Sequence, residues 1–173
     1  MTITQLVDIS INKLNCNEDL KEFFNDLKVG CLHKIVERRL LKDADIAFPH
    51  LDLIHPADNS GLPDIFSLKY NKGLEIKCTF GWPTYASKKI NGKKQSVRVS
   101  NDKCVQWTNG TPQTNKENFL FIKLGIKNGL LVAERIYYGN ISYKDDWKLH
   151  TSKSKKDLRI SESVVKNICK KLR

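Results

Sequence analysis

A chain of 173 residues with 40% hydrophobic and 28% charged residues is long enough to bury the core of one ordinary globular domain without disulfides or structural metal. Thirty Lys and Arg against nineteen Asp and Glu leave a formal charge of +11, which favours a polyanionic partner, nucleic acid being the commonest. No stretch reaches the roughly 20 apolar residues that span a bilayer, and Met1-Thr-Ile-Thr-Gln5 lacks the charged and apolar regions of a signal peptide.

The five cysteines (Cys16, Cys31, Cys78, Cys104 and Cys169) are odd in number, widely spaced and without a Cys-x-x-Cys pair. They read as reduced thiols of a cytoplasmic protein rather than a disulfide framework or zinc site. No repeat, low-complexity tract or long linker divides the chain, so residues 1–173 are read as a single domain.

In chain order, residues 18–29 are expected to form an amphipathic helix capped by Asn17, with Leu20, Phe23, Phe24 and Leu27 on one stripe and Gly30 as its stop. Residues 31–47 read as a second helix with Leu32, Ile35, Val36 and Leu40 inward. Pro49, Pro56, Asn59 and Gly61 make residues 49–62 mostly loop. The period then shortens to that of strands. Ile65–Tyr70 and Leu74–Phe80 are β-prone runs joined by Asn71-Lys72-Gly73, a hairpin turn. Residues 81–118 are polar, basic and broken by Gly and Pro, an irregular insert within which Gln95–Ser100 alternates like a strand. Phe119–Ile126 and Leu130–Tyr138, joined at Lys127-Asn128-Gly129, read as core strands, and Glu162–Leu172 as a closing helix. This order predicts an α+β fold, a central mixed β-sheet flanked by helices.

Chemistry concentrates in Gly61-Leu62-Pro63-Asp64 and in Leu74-Glu75-Ile76-Lys77-Cys78-Thr79. Side chains alternate along a strand, so Glu75, Lys77 and Thr79 share one face, opposite Leu74, Ile76 and Cys78 on a buried face. The hairpin returns the start of its first strand to the neighbourhood of Glu75 and Lys77. Asp64 is therefore expected beside them, two carboxylates and an ammonium at one point. Carboxylate oxygens suit Mg²⁺, which needs only one or two of them. Such an ion offsets charge on a phosphate and acidifies water, while a neighbouring lysine orients that water and stabilises the transition state. The carbonyl of Ile76 is a further oxygen donor. Other acidic-x-Lys triplets (Asp19–Lys21, Asp26–Lys28, Asp146–Lys148) have no Pro-Asp closely upstream.

Pro63-Asp64, ten intervening residues and Glu75-Ile76-Lys77 resemble the motif of the PD-(D/E)-x-K nuclease superfamily, which includes most type II restriction endonucleases. The element order is similar to that of the small, blunt-cutting, dimeric restriction enzymes. The resemblance implies a restriction-endonuclease-like core. It also implies Mg²⁺ as cofactor, held by Asp64, Glu75 and the Ile76 carbonyl, with Lys77 assisting the attacking water. Double-stranded DNA becomes the substrate, cut to 5′-phosphate and 3′-hydroxyl ends. A homodimer follows, with the helices of residues 18–47 its candidate interface, the alternative being that their apolar stripe faces the sheet, and a cognate DNA methyltransferase becomes the expected genetic partner. No small-molecule cofactor or membrane enters this scheme. Some family members recruit another acid from the preceding helix, for which Glu37 is the candidate here, the alternative being a solvated helix face amid Arg38 and Arg39. His50 and His55 lie near the motif without metal-ligand spacing and receive no role.

DNA is expected against the insert at about 81–118. Lys88, Lys89, Lys93 and Lys94 would neutralise phosphates. Gln95, Ser96, Arg98, Ser100 and Asn101 form the candidate base-reading surface, against the alternative of a basic loop that touches only the DNA backbone. Lys148, Lys153, Lys155, Lys156 and Arg159 form a second, weaker basic cluster. Two other functional readings fit the same residues: a DNA-repair nuclease of the same superfamily (a Holliday-junction resolvase or mismatch-nicking enzyme), and a non-catalytic basic nucleic-acid-binding module.

Overall fold

A computed structural model describes residues 1–17, 32–56, 62–81, 84–100, 105–109, 118–142, 145–151 and 156–173. Three helices are described: α1 (Ile3–Asn15), α2 (Leu32–Ala47) and α3 (Glu162–Ile168). The strands are β1 (Leu53–Ile54), β2 (Ile65–Ser67), β3 (Lys72–Thr79), β4 (Thr84–Ile90), β5 (Lys93–Ser100) and β6 (Gln106–Asn109), followed by β7 (Asn118–Lys127), β8 (Leu130–Asn140), β9 (Lys148–Thr151), β10 (Lys156–Ser161) and β11 (Lys170–Lys171). A six-stranded sheet runs in the order β1-β2-β3-β7-β8-β11. Only β3 and β7 pair in parallel; their neighbours are antiparallel, so the sheet is mixed, as the element order predicts. A parallel pair requires a long crossover, and residues 80–117 supply it.

Each face of the sheet buries a different core. Ile76, Cys78, Leu120, Ile122, Leu124, Leu131 and Ile136 meet Leu6, Val7, Ile11 and Leu14 of α1 and Val36, Leu40 and Ala44 of α2. On the other side Phe119, Phe121 and Tyr137 pack with Trp107, Trp147, Leu158, Ile160 and Val165. That second core is closed by α3 and a three-stranded sheet, β6-β10-β9. Phe119 and Phe121 stack at 5.4 Å, and Trp107 meets Phe121 edge-on at 5.1 Å, geometries that suit the ring quadrupoles. Trp107 is thus a core residue whose indole N–H donates to the Ile122 carbonyl at 3.3 Å.

Several boundaries differ from those expected. Helix α1 has no clear helical signal in the sequence, because Ile3, Thr4, Val7, Ile9 and Ile11 are β-branched and poor helix formers. A capping box between Thr2 and Gln5 starts it nonetheless, and burial of one stripe against α2 and β8 sustains it. The helix expected at residues 18–29 lies outside the described residues. The β2–β3 turn occupies residues 68–71, with Asn71 at φ 50°; Lys72 and Gly73 belong to β3 and pair with Ser67 and Phe66. Residues 49–62 include a 3₁₀ turn, Pro49–Leu51, and β1.

The expected irregular insert contains two strands more than Gln95–Ser100 alone indicated, β4 and β6. The first pair, β4 and β5, turns at Asn91-Gly92, both at positive φ (51° and 75°). Asn-Gly is a strong hairpin signal, and its flanking lysine pairs obscured the alternation. The closing helix stops at Ile168 rather than Leu172, since Cys169 is extended (φ −96°, ψ 150°) and β11 pairs with Tyr137 and Tyr138. Among the described residues no helix is long and apolar enough to cross a membrane, and Cys16, Cys78 and Cys169 form no disulfide.

Candidate active site

The site is built on β3, because β2 is short. Its three residues pair with Lys72–Leu74 only, and among the described residues no strand pairs with that edge of β3 beyond Leu74. The other edge is fully engaged by β7 from Glu75 to Thr79. An unpaired strand edge presents backbone N–H groups that need acceptors, and here side-chain carboxylates supply them. Asp64 Oδ2 accepts from the Ile76 N–H at 2.7 Å, and Glu37 Oε1 accepts from the Cys78 N–H at 3.0 Å. Within a strand the N–H and C=O of one residue point to the same side. The Ile76 carbonyl therefore faces this same edge, beside both acids.

Asp64 reaches the edge because Pro63 is anchored. Pro63 is buried, its ring lying on the Cα of Gly73, where an added Cβ would overlap Pro63 Cγ. The Asp64 backbone N–H then donates to Glu75 Oε2 at 3.3 Å. Glu75 Oε1 accepts from the Lys77 ammonium in a short ion pair. Glu75 and Lys77 stand in register with Phe119 and Phe121 and so share the face of the aromatic core. That explains why Glu75 is only 1% exposed, whereas alternation alone would leave it facing solvent.

The electrostatics follow from this burial. Desolvation opposes the charge on Lys77, but the carboxylates of Glu75 and Asp64, the Glu75 hydrogen bond and Glu37 outweigh it and raise its pKa. Lys77 is thus held as an ammonium, a donor of positive charge and hydrogen bonds rather than a base. Glu37 shifts differently. Burial pushes its carboxyl up to about 7, against the Cys78 N–H and Lys77, with Asp64 and Glu75 adding repulsion. Burial, with Glu37 nearby, raises the Cys78 thiol well above its ordinary value, which keeps it neutral and unreactive.

Asp64, Glu75, Lys77 and Glu37 are therefore neighbours on one strand edge. Glu37 is no part of a solvated helix face. The donor set, three carboxylates and a peptide carbonyl, is all hard oxygen, the chemistry that suits Mg²⁺. Among the described residues no three His, Cys, Asp or Glu side chains are already grouped in metal-holding geometry. In this arrangement the acids are engaged by N–H groups and by Lys77 instead.

The other candidates are more dispersed. Lys88, Lys89, Lys93, Lys94, Gln95, Ser96, Arg98 and Ser100 all lie on the β4–β5 ribbon, which among the described residues pairs with neither other sheet. Lys88 stands opposite Gln95, Lys89 opposite Lys94 and Ser87 opposite Ser96. Lys93 at the turn is exposed, and Asn101 lies outside the described residues. In the second basic cluster Lys148 is exposed on β9, Lys156 and Arg159 are on β10, and Lys153 and Lys155 are not described. His50 packs edge-on to Phe48 at 6.4 Å. His55, given no role from sequence, pairs through Nε2 with Asp45 at 2.7 Å and lies 3.4 Å through Nδ1 from the Asp64 carbonyl. No spacing signal links Asp45, His55 and Asp64, because a helix end and two loops bring them together.

Compared with known proteins, the chain matches no family model, no curated protein and no solved structure.

Proposed function

We propose that this protein is a Mg²⁺-dependent, site-specific double-stranded DNA endonuclease of the type II restriction kind. Its proposed reaction hydrolyses phosphodiesters to 5′-phosphate and 3′-hydroxyl ends. The observation that carries this reading is the convergence of Asp64, Glu75 and Lys77 at the edge of β3 where its pairing with β2 ends.

In this reading Asp64, Glu75 and the Ile76 carbonyl hold the ion, with Glu37 as the additional acid on the same edge. Bound Mg²⁺ supplies Lewis-acid stabilisation of phosphate charge and a more acidic water. Lys77, kept charged by Glu75 and Asp64, donates to the attacking water or to a non-bridging phosphate oxygen, where charge develops. Water adds at phosphorus, the bond to the 3′ oxygen breaks, and that oxygen leaves carrying a proton.

The basic β4–β5 ribbon supports the choice of DNA. A two-stranded antiparallel ribbon fits the major groove, and four of its residues at or beside the turn are lysines (Lys88, Lys89, Lys93, Lys94). Base reading is assigned to Gln95, Ser96, Arg98, Ser100 and Asn101. Cutting both strands of a palindrome needs two such sites, so the working form is a homodimer. It would act in the cytoplasm, with a cognate DNA methyltransferase as genetic partner.

The test is a substrate panel in Mg²⁺: supercoiled plasmid, mismatched duplex and four-way junction. Discrete plasmid fragments support the restriction reading. Cleavage confined to the mismatched or branched substrates replaces it with a repair nuclease, and binding without cleavage replaces it with a non-catalytic DNA-binding module.

A further inference from the structure

Asp64 is the least supported member of the triad by chain alone. It precedes a strand of only three residues, whereas Glu75 and Lys77 lie inside a strand engaged with β7. Its side chain acts on the Ile76 N–H only while its backbone keeps one orientation. The N–H of Asp64 is taken by Glu75 Oε2 at 3.3 Å. Its carbonyl faces His55 Nδ1 at 3.4 Å. The opposite nitrogen of that ring, Nε2, lies 2.7 and 2.8 Å from the two carboxylate oxygens of Asp45 in the last turn of α2. Both ring nitrogens thus lie against oxygens, the Asp64 carbonyl on one side and the Asp45 carboxylate on the other. An imidazole fixed at one end by a carboxylate is the arrangement by which proteins orient such rings.

We propose that His55, braced by Asp45, is a positioning residue that fixes the Asp64 backbone and so aims its carboxylate at the β3 edge. It ties the end of the helix that carries Glu37 to the loop that carries Asp64, setting two acids of the site relative to one another. The positioning itself stands on geometry. Only its catalytic consequence rests on the nuclease reading.

Amide hydrogen exchange tests the positioning in the metal-free protein, independently of any activity. The Ile76 amide, which donates to Asp64, is compared with the Cys78 amide, which donates to Glu37, in the wild type and in His55→Ala, Asp45→Ala and His55→Asn. In both alanine variants Ile76 should exchange about 10-fold faster while Cys78 does not change, the size expected for losing the net contribution of about one hydrogen bond. His55→Asn places an amide nitrogen near the position of Nδ1 and should recover part of the protection. Unchanged Ile76 exchange overturns the proposal. So does equal loss at Ile76 and Cys78, which would mean general loosening. Calorimetric titration with Mn²⁺ and steady-state cleavage separate the two readings. His55→Ala should weaken Mn²⁺ binding about 10-fold and lower kcat with little change in KM for DNA. If the wild type neither binds Mn²⁺ nor cuts, the nuclease reading falls, and the exchange data still decide the positioning.

Discussion

Glu37 shows how far a residue's chemistry depends on what surrounds it. In the sequence it stands amid Arg38 and Arg39 and reads equally well as a solvated charge. In the fold it accepts from the Cys78 N–H and faces Asp64, Glu75 and Lys77, and burial lifts its carboxyl from 4.5 to about 7. A carboxyl whose pKa is higher folded than unfolded binds more protons when folded between those two values. Stability is therefore greatest below about pH 4.5 as far as Glu37 is concerned, and declines as the pH rises through about 7. The decline should reach up to roughly 3 kcal/mol, less whatever partial exposure removes. Urea unfolding in EDTA across that range should show this decline in the wild type and not in Glu37→Gln. Identical profiles would contradict the assigned environment. The triad was legible because a hairpin brings back what it carries past. Glu37 was legible only as a candidate, since helix-on-sheet docking decides where it points. Asp45 and His55 left no trace in spacing at all.

At the scale of elements, the short length of β2 turns a strand into a site. Had β2 continued, it would have taken the Ile76 and Cys78 N–H groups that Asp64 and Glu37 now occupy. The anchor for this is Pro63 on Gly73, where a Cβ would overlap the proline ring and crowd the Ile65 carbonyl at 3.0 Å. Gly73→Ala should therefore destabilise the protein by about 1–3 kcal/mol, the usual cost of overpacking. It should also reduce cleavage beyond that loss, because Asp64 shifts with Pro63. Denaturation together with cleavage rates at a temperature where the variant is fully folded checks both, and a variant of wild-type stability would contradict the close approach. Strand pairs with marked turns were readable. Asn128-Gly129 closes β7–β8 with both residues at positive φ (53° and 74°), whereas the equivalent Asn91-Gly92 turn of β4–β5 was hidden by the lysines that flank it. Strands β6 and β10 are four and six residues of largely polar sequence that become strands by setting Trp107, Leu158 and Ile160 against Phe119 and Phe121, and β9 joins them by pairing with β10. Such tertiary rescue has no local signature.

Across the whole molecule, a core is buried on each face of the mixed sheet, and among the described residues one stretch of the β3 edge is met by the carboxylates of Asp64 and Glu37. Among the described residues the basic ribbon shares no strand pairing with either larger sheet, as would suit the groove-reading part of the proposed nuclease. Composition points to the proposed polyanionic partner, and the motif to the proposed reaction class. In the proposed reading the recognised base sequence would depend on ribbon side chains that neither charge nor period specifies.

The most direct test is digestion of a plasmid of known sequence in Mg²⁺ by the wild type and by Asp64→Asn. The asparagine can still accept the Ile76 N–H and so preserves the strand edge. The wild type should release discrete fragments and lose that activity in EDTA, while Asp64→Asn, melting as the wild type does, should be slower by at least roughly 100-fold. A wild type that leaves the plasmid intact with both Mg²⁺ and Mn²⁺, or an Asp64→Asn variant that cuts at the wild-type rate, would contradict the assignment of this edge as a nuclease site.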